Sequence, residues 1–136
     1  MRFLRAWACL ACIQTCLSAP VGAEVRCHYT YGGETRSVRA VPSDDPLRVR
    51  GVVVGSYFQL RVVLQTQPTD LAALKVYTYA DRDEGPQLLH QATFPYPPPK
   101  PRRGAAYGFT GLQYVYEPVR DGELQYWCEM RAQEGA

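Results

Sequence analysis

The stretch Asp121-Gly122-Glu123-Leu124-Gln125-Tyr126-Trp127-Cys128-Glu129-Met130 decides how the rest of the chain is read. Asp121-Gly122 is a tight-turn pair. Beyond it Leu124, Tyr126, Cys128 and Met130 fall on one parity, and Gln125, Trp127 and Glu129 on the other. Alternation with period two marks a half-buried strand. Near the other end Val25, Cys27, Tyr29 and Tyr31 alternate with Arg26, His28 and Thr30 in the same way. Cys27 and Cys128 therefore each occupy the more apolar face of a strand. They are the two cysteines left once an N-terminal leader is set aside, and two in an exported chain point to one disulfide rather than a redox or zinc site. The bridge is expected to tie the first strand of the domain to the last.

The leader is read from Arg2 and Arg5, the apolar run Ala6 to Leu17 interrupted at Gln14, and the small residues Val21-Gly22-Ala23. That is the pattern of a signal peptide, residues 1–23, cleaved before Glu24. The run is well short of the ~20 apolar residues that span a bilayer, so no stable membrane insertion is expected after cleavage. Cys9, Cys12 and Cys16 raise a lipoprotein form, but none follows a Leu-Ala-Gly type of signal. The protein is expected to be exported, periplasmic or secreted. Arg2 and Arg5 leave with the leader, and the remaining basic residues balance the 13 acidic ones. A neutral domain offers no electrostatic case for binding nucleic acid.

Residues 24–131 read as one domain. Gly32-Gly33 joins the first strand to a return strand, Glu34 to Val41, because two glycines supply the positive φ of a tight hairpin turn. Pro42 to Pro46 closes it. The apolar stretch Leu47 to Gln65 is split at Gly55-Ser56 into strands Leu47–Val54 and Tyr57–Gln65. Asp70 to Leu74 could form a single helical turn capped by Thr69 or Asp70. Leu74–Ala80 and Gln87–Phe94 are further strands, separated by the charged turn Asp81 to Pro86. Residues 95–110 carry Pro95, Pro97, Pro98, Pro99 and Pro101, which donate no N–H to a sheet, so this is an extended surface loop. Leu112–Glu117 and Glu123–Arg131 make a terminal hairpin, and 132–136 a flexible tail. Seven or eight short strands with almost no helix predict an all-β fold, a β-sandwich or small barrel.

Tyr126-Trp127-Cys128 on its strand resembles the Tyr-x-Cys strand of immunoglobulin-type domains, in which a tyrosine packs two residues before the second cysteine. The resemblance implies a single immunoglobulin-like β-sandwich with one disulfide. It covers about eight residues. The cysteines here are further apart than is usual in that fold, and Trp127 projects to the face opposite the bridge.

For chemistry the domain offers little. His28 and His90 are its only histidines, and no Gly-x-Ser-x-Gly elbow is present. A metal set drawn from Cys27, His28, His90, Cys128 and Met130 collapses once the thiols are joined. Asp44-Asp45 and Asp81, Asp83 and Glu84 sit in turn sequence, where solvated carboxylates are ordinary. No catalytic residue, metal ligand or cofactor is assigned, and the domain is read as non-enzymatic. Two surface features remain. Lys100, Arg102 and Arg103 end a Pro-x-x-Pro segment that would lie in polyproline II form, a stiff basic arm. Tyr57, Tyr77, Tyr79 and Trp127 fall opposite the clearer core residues of their strands, and rigid aromatics are what recognition surfaces use. The expected function is binding another exported or envelope protein, as accessory subunit, inhibitor or assembly factor. The alternative is a carbohydrate- or small-ligand-binding module using those aromatics.

Overall fold

A computed structural model describes residues 22–133; the expected leader, except Gly22 and Ala23, and residues 134–136 lie outside the described residues. Strand β1, Ala23–Tyr31, turns through Gly32 and Gly33, at φ 60° and 79°, into β2, Glu34–Ala40. The strands β3 (Val52–Val54), β4 (Phe58–Gln65), β5 (Ala73–Ala80) and β6 (Gln87–Pro95) follow. The chain ends with β7 (Gln113–Glu117) and β8 (Gly122–Ala132). Two four-stranded antiparallel sheets result, β2-β1-β8-β7 and β3-β4-β5-β6. Alternate residues of both face inward: Val25, Cys27, Leu124, Tyr126 and Val115 from one, Phe58, Leu60, Val62, Leu74 and Val76 from the other, all buried in a single core. The expected all-β sandwich with one disulfide is what forms. Among the described residues no helix is long and apolar enough to cross a membrane.

The bridge has a distinct geometry. In immunoglobulin domains the disulfide joins the two sheets. Here Cys27 and Cys128 face each other on neighbouring strands of one sheet, β1 and β8, with Cα atoms 4.0 Å apart. The Cys128 N–H donates to Thr110 Oγ1 at 2.8 Å and its carbonyl accepts from Phe109 N at 3.0 Å. Both backbone groups thus turn away from Cys27, making this a non-hydrogen-bonded pair, the one whose side chains approach most closely. What crosses between the sheets is Tyr126, whose buried hydroxyl pairs with His90 Nε2 on β6 at 2.8 Å. Burial pushes the Tyr126 phenol up and the His90 imidazole down from their ordinary pKa values.

One expected strand is cut short. Only Val52–Val54 of the segment Leu47–Val54 pairs; Pro46–Arg48 is a 3₁₀ turn instead. Asp45 Oδ1 accepts the N–H of Leu47 at 3.1 Å, and Pro46 occupies a first-turn position that needs no donor. The carbonyls of Pro46 and Val49 are taken by the guanidinium of Arg61 on β4. The helical turn expected at Asp70–Leu74 is a 3₁₀ turn at Thr69–Leu71, and β5 already begins at Ala73.

Candidate functional site

The exposed face of the β2-β1-β8-β7 sheet carries the largest group of aromatics outside the core. It follows from strand parity. Burying Cys27 and Tyr29 turns His28 outward, and burying Tyr126 and Cys128 turns Trp127 outward beside it, since His28 and Trp127 are paired in register. Their rings stack, centroids 5.0 Å apart and planes 19° from parallel. His28 Nε2 meets Glu129 Oε1 at 2.8 Å, fixing the imidazole under the indole. Tyr107 meets Trp127 edge-on at 5.4 Å. On β7 the same parity puts Tyr114 and Tyr116 outward, 61% and 56% exposed, far more than sheet stabilisation requires. Tyr116 donates to Asp121 Oδ1 at 2.5 Å, and that carboxylate raises its pKa.

Tyr107 was not legible as a site residue. It reaches Trp127 because the proline-rich connection is pinned to the part of β8 that short β7 leaves uncovered. Gly108 makes this possible. At φ +56° it sits so close to β8 that a Cβ would come 2.1 Å from the Cys128 carbonyl oxygen. Thr110, after accepting from Cys128, donates to the Gly111 carbonyl at 2.9 Å. Lys100, Arg102 and Arg103 are exposed on this same connection, and no ion pair is formed by any of them among the described residues. Tyr107 follows Arg103 by four positions, at most ~14 Å of chain.

The other sequence-derived candidates lie elsewhere and have partners within the fold. Tyr77 and Tyr79 stand on the opposite exposed face, stacked at 6.4 Å, with the Arg61 guanidinium 5.1 Å from the Tyr77 centroid. Arg61 also reaches Tyr79 Oη at 3.4 Å, so these tyrosines help seat the cation that holds the Pro46–Val49 turn. Tyr57 lies at one end of the sandwich under Arg120, whose guanidinium is 4.9 Å from the ring centroid. The structure thus brings together Trp127 with His28 and Tyr107, and leaves Tyr57, Tyr77 and Tyr79 apart from them.

That end of the sandwich holds a second feature sequence reading missed. Glu117 is fully buried, yet it accepts from Val119 N at 3.0 Å, Arg120 N at 2.9 Å and Arg82 Nη2 at 2.5 Å. Burial acts to raise its pKa, but the two backbone donors and the guanidinium outweigh it and hold the carboxyl below its ordinary range. All three donors come from the chain itself, so the network locks the β7–β8 and β5–β6 turns together. Among the described residues no group of three or more His, Cys, Asp or Glu is arranged to hold a metal ion. No family model, curated protein or solved structure matches the chain.

Proposed function

We propose that this is an exported, non-enzymatic β-sandwich protein that binds another exported or envelope protein, as accessory subunit, inhibitor or assembly factor, through the sheet face centred on Trp127. The observation that carries the reading is the braced indole: Trp127 stands outside the core, held by His28 and Tyr107, with Tyr114 and Tyr116 more than half exposed on the same face. Preorganised aromatics of this kind concentrate binding energy at protein interfaces, where truncating one costs about 2 kcal/mol or more. Lys100, Arg102 and Arg103, which form no ion pair among the described residues, lie on the connection that delivers Tyr107 and would steer an acidic partner to the same side. A carbohydrate-binding role draws less support, since the Tyr77 ring is engaged by Arg61 and the stacked Tyr79.

The test is capture from the native envelope fraction with immobilised protein, wild type against Trp127→Ala and Tyr114→Ala. One partner held by wild type and lost from both variants, with thermal stability unchanged, is the expected result. A partner retained by both variants overturns the assignment of this face, and repeated capture of nothing overturns the binding role.

A further inference from the structure

The side of the sandwich between β2 and β3 is open. β2 is seven residues long, and the strand facing it across the core, β3, has three. Two cavities of about 330 Å³ each lie in the gap, bordered in turn by Arg36 and by Val38 and Arg39 of β2; a third, of about 230 Å³, lies where β1 begins, bordered by Arg39 and Ala40 but by no residue of β3. They follow the whole strand. The cavity beside Val38 has an apolar floor: Val38 and Val52 are partly buried, and below them lie Leu60 and Val62 of β4. The one beside Arg36 is more polar, lined by Tyr29, Tyr31 and Glu34 as well as Val53 and Val54. The rim is mostly cationic, with Arg36, Arg39, Arg48 and Arg50 against Glu24 and Glu34.

The backbone of β2 is bonded to β1 alone, and no residue from 34 to 40 has a backbone hydrogen bond on its other edge among the described residues. A free edge is an invitation to strand pairing that proteins usually blunt with charge. Arg36 and Arg39 do so against a second copy of this chain, which would bring the same cations together. They do not repel acids. Arg36–Glu34 and Arg48–Asp45, each at 3.0 Å, are solvent-exposed pairs; Arg39 is itself exposed and only 3.6 Å from the partly buried Glu24, which Arg26 also holds; and Arg50 has no ion-pair partner among the described residues. Exposed pairs are worth under about 1 kcal/mol and exchange readily for a new carboxylate.

We propose that this groove receives an extended, acidic strand of a partner protein, which adds to the free edge of β2. Its backbone would pair with β2, alternate apolar side chains would enter the cavities over Val38, Val52 and Leu60, and its carboxylates would meet the arginine rim. Seven residues of strand span about 23 Å, so a segment of similar length fills the site. A compact small molecule would account for one cavity, whereas a strand accounts for both cavities of the gap and for the unpaired edge.

The probe is a fluorescein-labelled octapeptide alternating valine and glutamate, blocked at both ends, titrated into the purified protein by fluorescence anisotropy. Saturable binding is expected, weakened at least tenfold when lysine replaces glutamate and at least tenfold in Arg39→Glu/Arg50→Glu protein. Both substitutions are at exposed positions, and circular dichroism checks that the fold is kept. Trp127→Ala should bind as wild type, which separates this groove from the aromatic face. Amide hydrogen exchange on the complex should slow at residues 34–40. No saturable binding, equal binding of the lysine peptide or by the double variant, or protection elsewhere overturns the proposal. So does self-association without peptide that protects residues 34–40, which would assign the edge to a second copy.

Discussion

Replacing both cysteines, Cys27→Ala/Cys128→Ala, should be among the most costly changes this domain can undergo short of emptying its core. The cysteines lie 101 residues apart, and releasing a loop of that length returns about 4.7 kcal/mol of conformational entropy to the denatured chain in the loop-closure account. Both side chains are fully buried, so truncating them adds roughly 1 kcal/mol in lost packing. Residual structure in the denatured chain reduces the first contribution. The net expectation is a loss of about 3–5 kcal/mol, out of the roughly 5–15 kcal/mol that a domain of this size possesses. The sheet itself should survive at low denaturant, because β1 and β8 are hydrogen-bonded neighbours from Ala23↔Ala132 to Thr30↔Gln125 without the bridge. Urea titration followed by tryptophan fluorescence and far-ultraviolet circular dichroism measures the change. With a slope near 1.5 kcal/mol per molar urea the midpoint should fall by roughly 2–3 M. Thiol labelling of the mature wild-type protein, without residues 1–23, under denaturing, non-reducing conditions should find no free cysteine. A midpoint shift equivalent to less than about 1 kcal/mol would refute the reasoning, since even a modest cross-link over so long a loop exceeds it.

Acid should destabilise the protein in two stages. His90 is held below its ordinary value of 6.5 and regains it on unfolding, so its contribution is complete above about pH 6.5 and is lost as pH falls through the folded value. Glu117 likewise returns to 4.5 when unfolded; its contribution is complete above that pH and is lost on further acidification. Melting temperature measured from pH 8 to pH 3 should fall across both windows, and His90→Gln should remove the upper one; a flat profile down to pH 4 in wild type would sink the first assignment. Gly108→Ala should cost about 1–3 kcal/mol, because the backbone is left-handed there and the new Cβ meets the Cys128 carbonyl. The variant should also shift Trp127 emission to longer wavelength as Tyr107 leaves the indole, and unchanged emission with unchanged stability would show that the connection is not anchored at Gly108.

Strand parity was legible because burial on one face leaves a period-two trace, and β1, β4, β5 and β8 carry it plainly. Parity alone put both cysteines inward and Trp127 outward. It could not say whether the bridge runs across the core or beside it, because parity fixes a face and not a neighbour. The same gap explains Leu47–Val54: β-branched residues there suit a strand, but Arg61, a dozen residues on, takes the Val49 carbonyl at 2.9 Å and favours the turn. Tyr77 and Tyr79 read as free aromatics for a related reason, since nothing local shows that Arg61 lies opposite Tyr77. Glu117 and Tyr107 owe their positions to contacts with distant turns or strands, Arg82 and Trp127 respectively, and no local pattern announces such contacts. Gly108 was the available signal for Tyr107: a glycine closing a proline-rich run often marks a backbone that must approach another closely.

The bridge and the aromatic face are coupled by register. Cys27↔Cys128 and His28↔Trp127 are successive pairs in the β1–β8 ladder. A slip of one residue would turn Trp127 into the core and the cysteine outward, since each step reverses the face of every side chain. A covalent bond between Cys27 and Cys128 forbids that slip. It therefore fixes the stacked His28–Trp127 pair without touching either ring, and the Cys128 backbone supplies the two hydrogen bonds that bring Tyr107 alongside. The same disulfide that stabilises the fold through its denatured chain thus positions each of the three rings from one strand junction. That gives the inward and outward halves of β8 a common origin rather than separate roles.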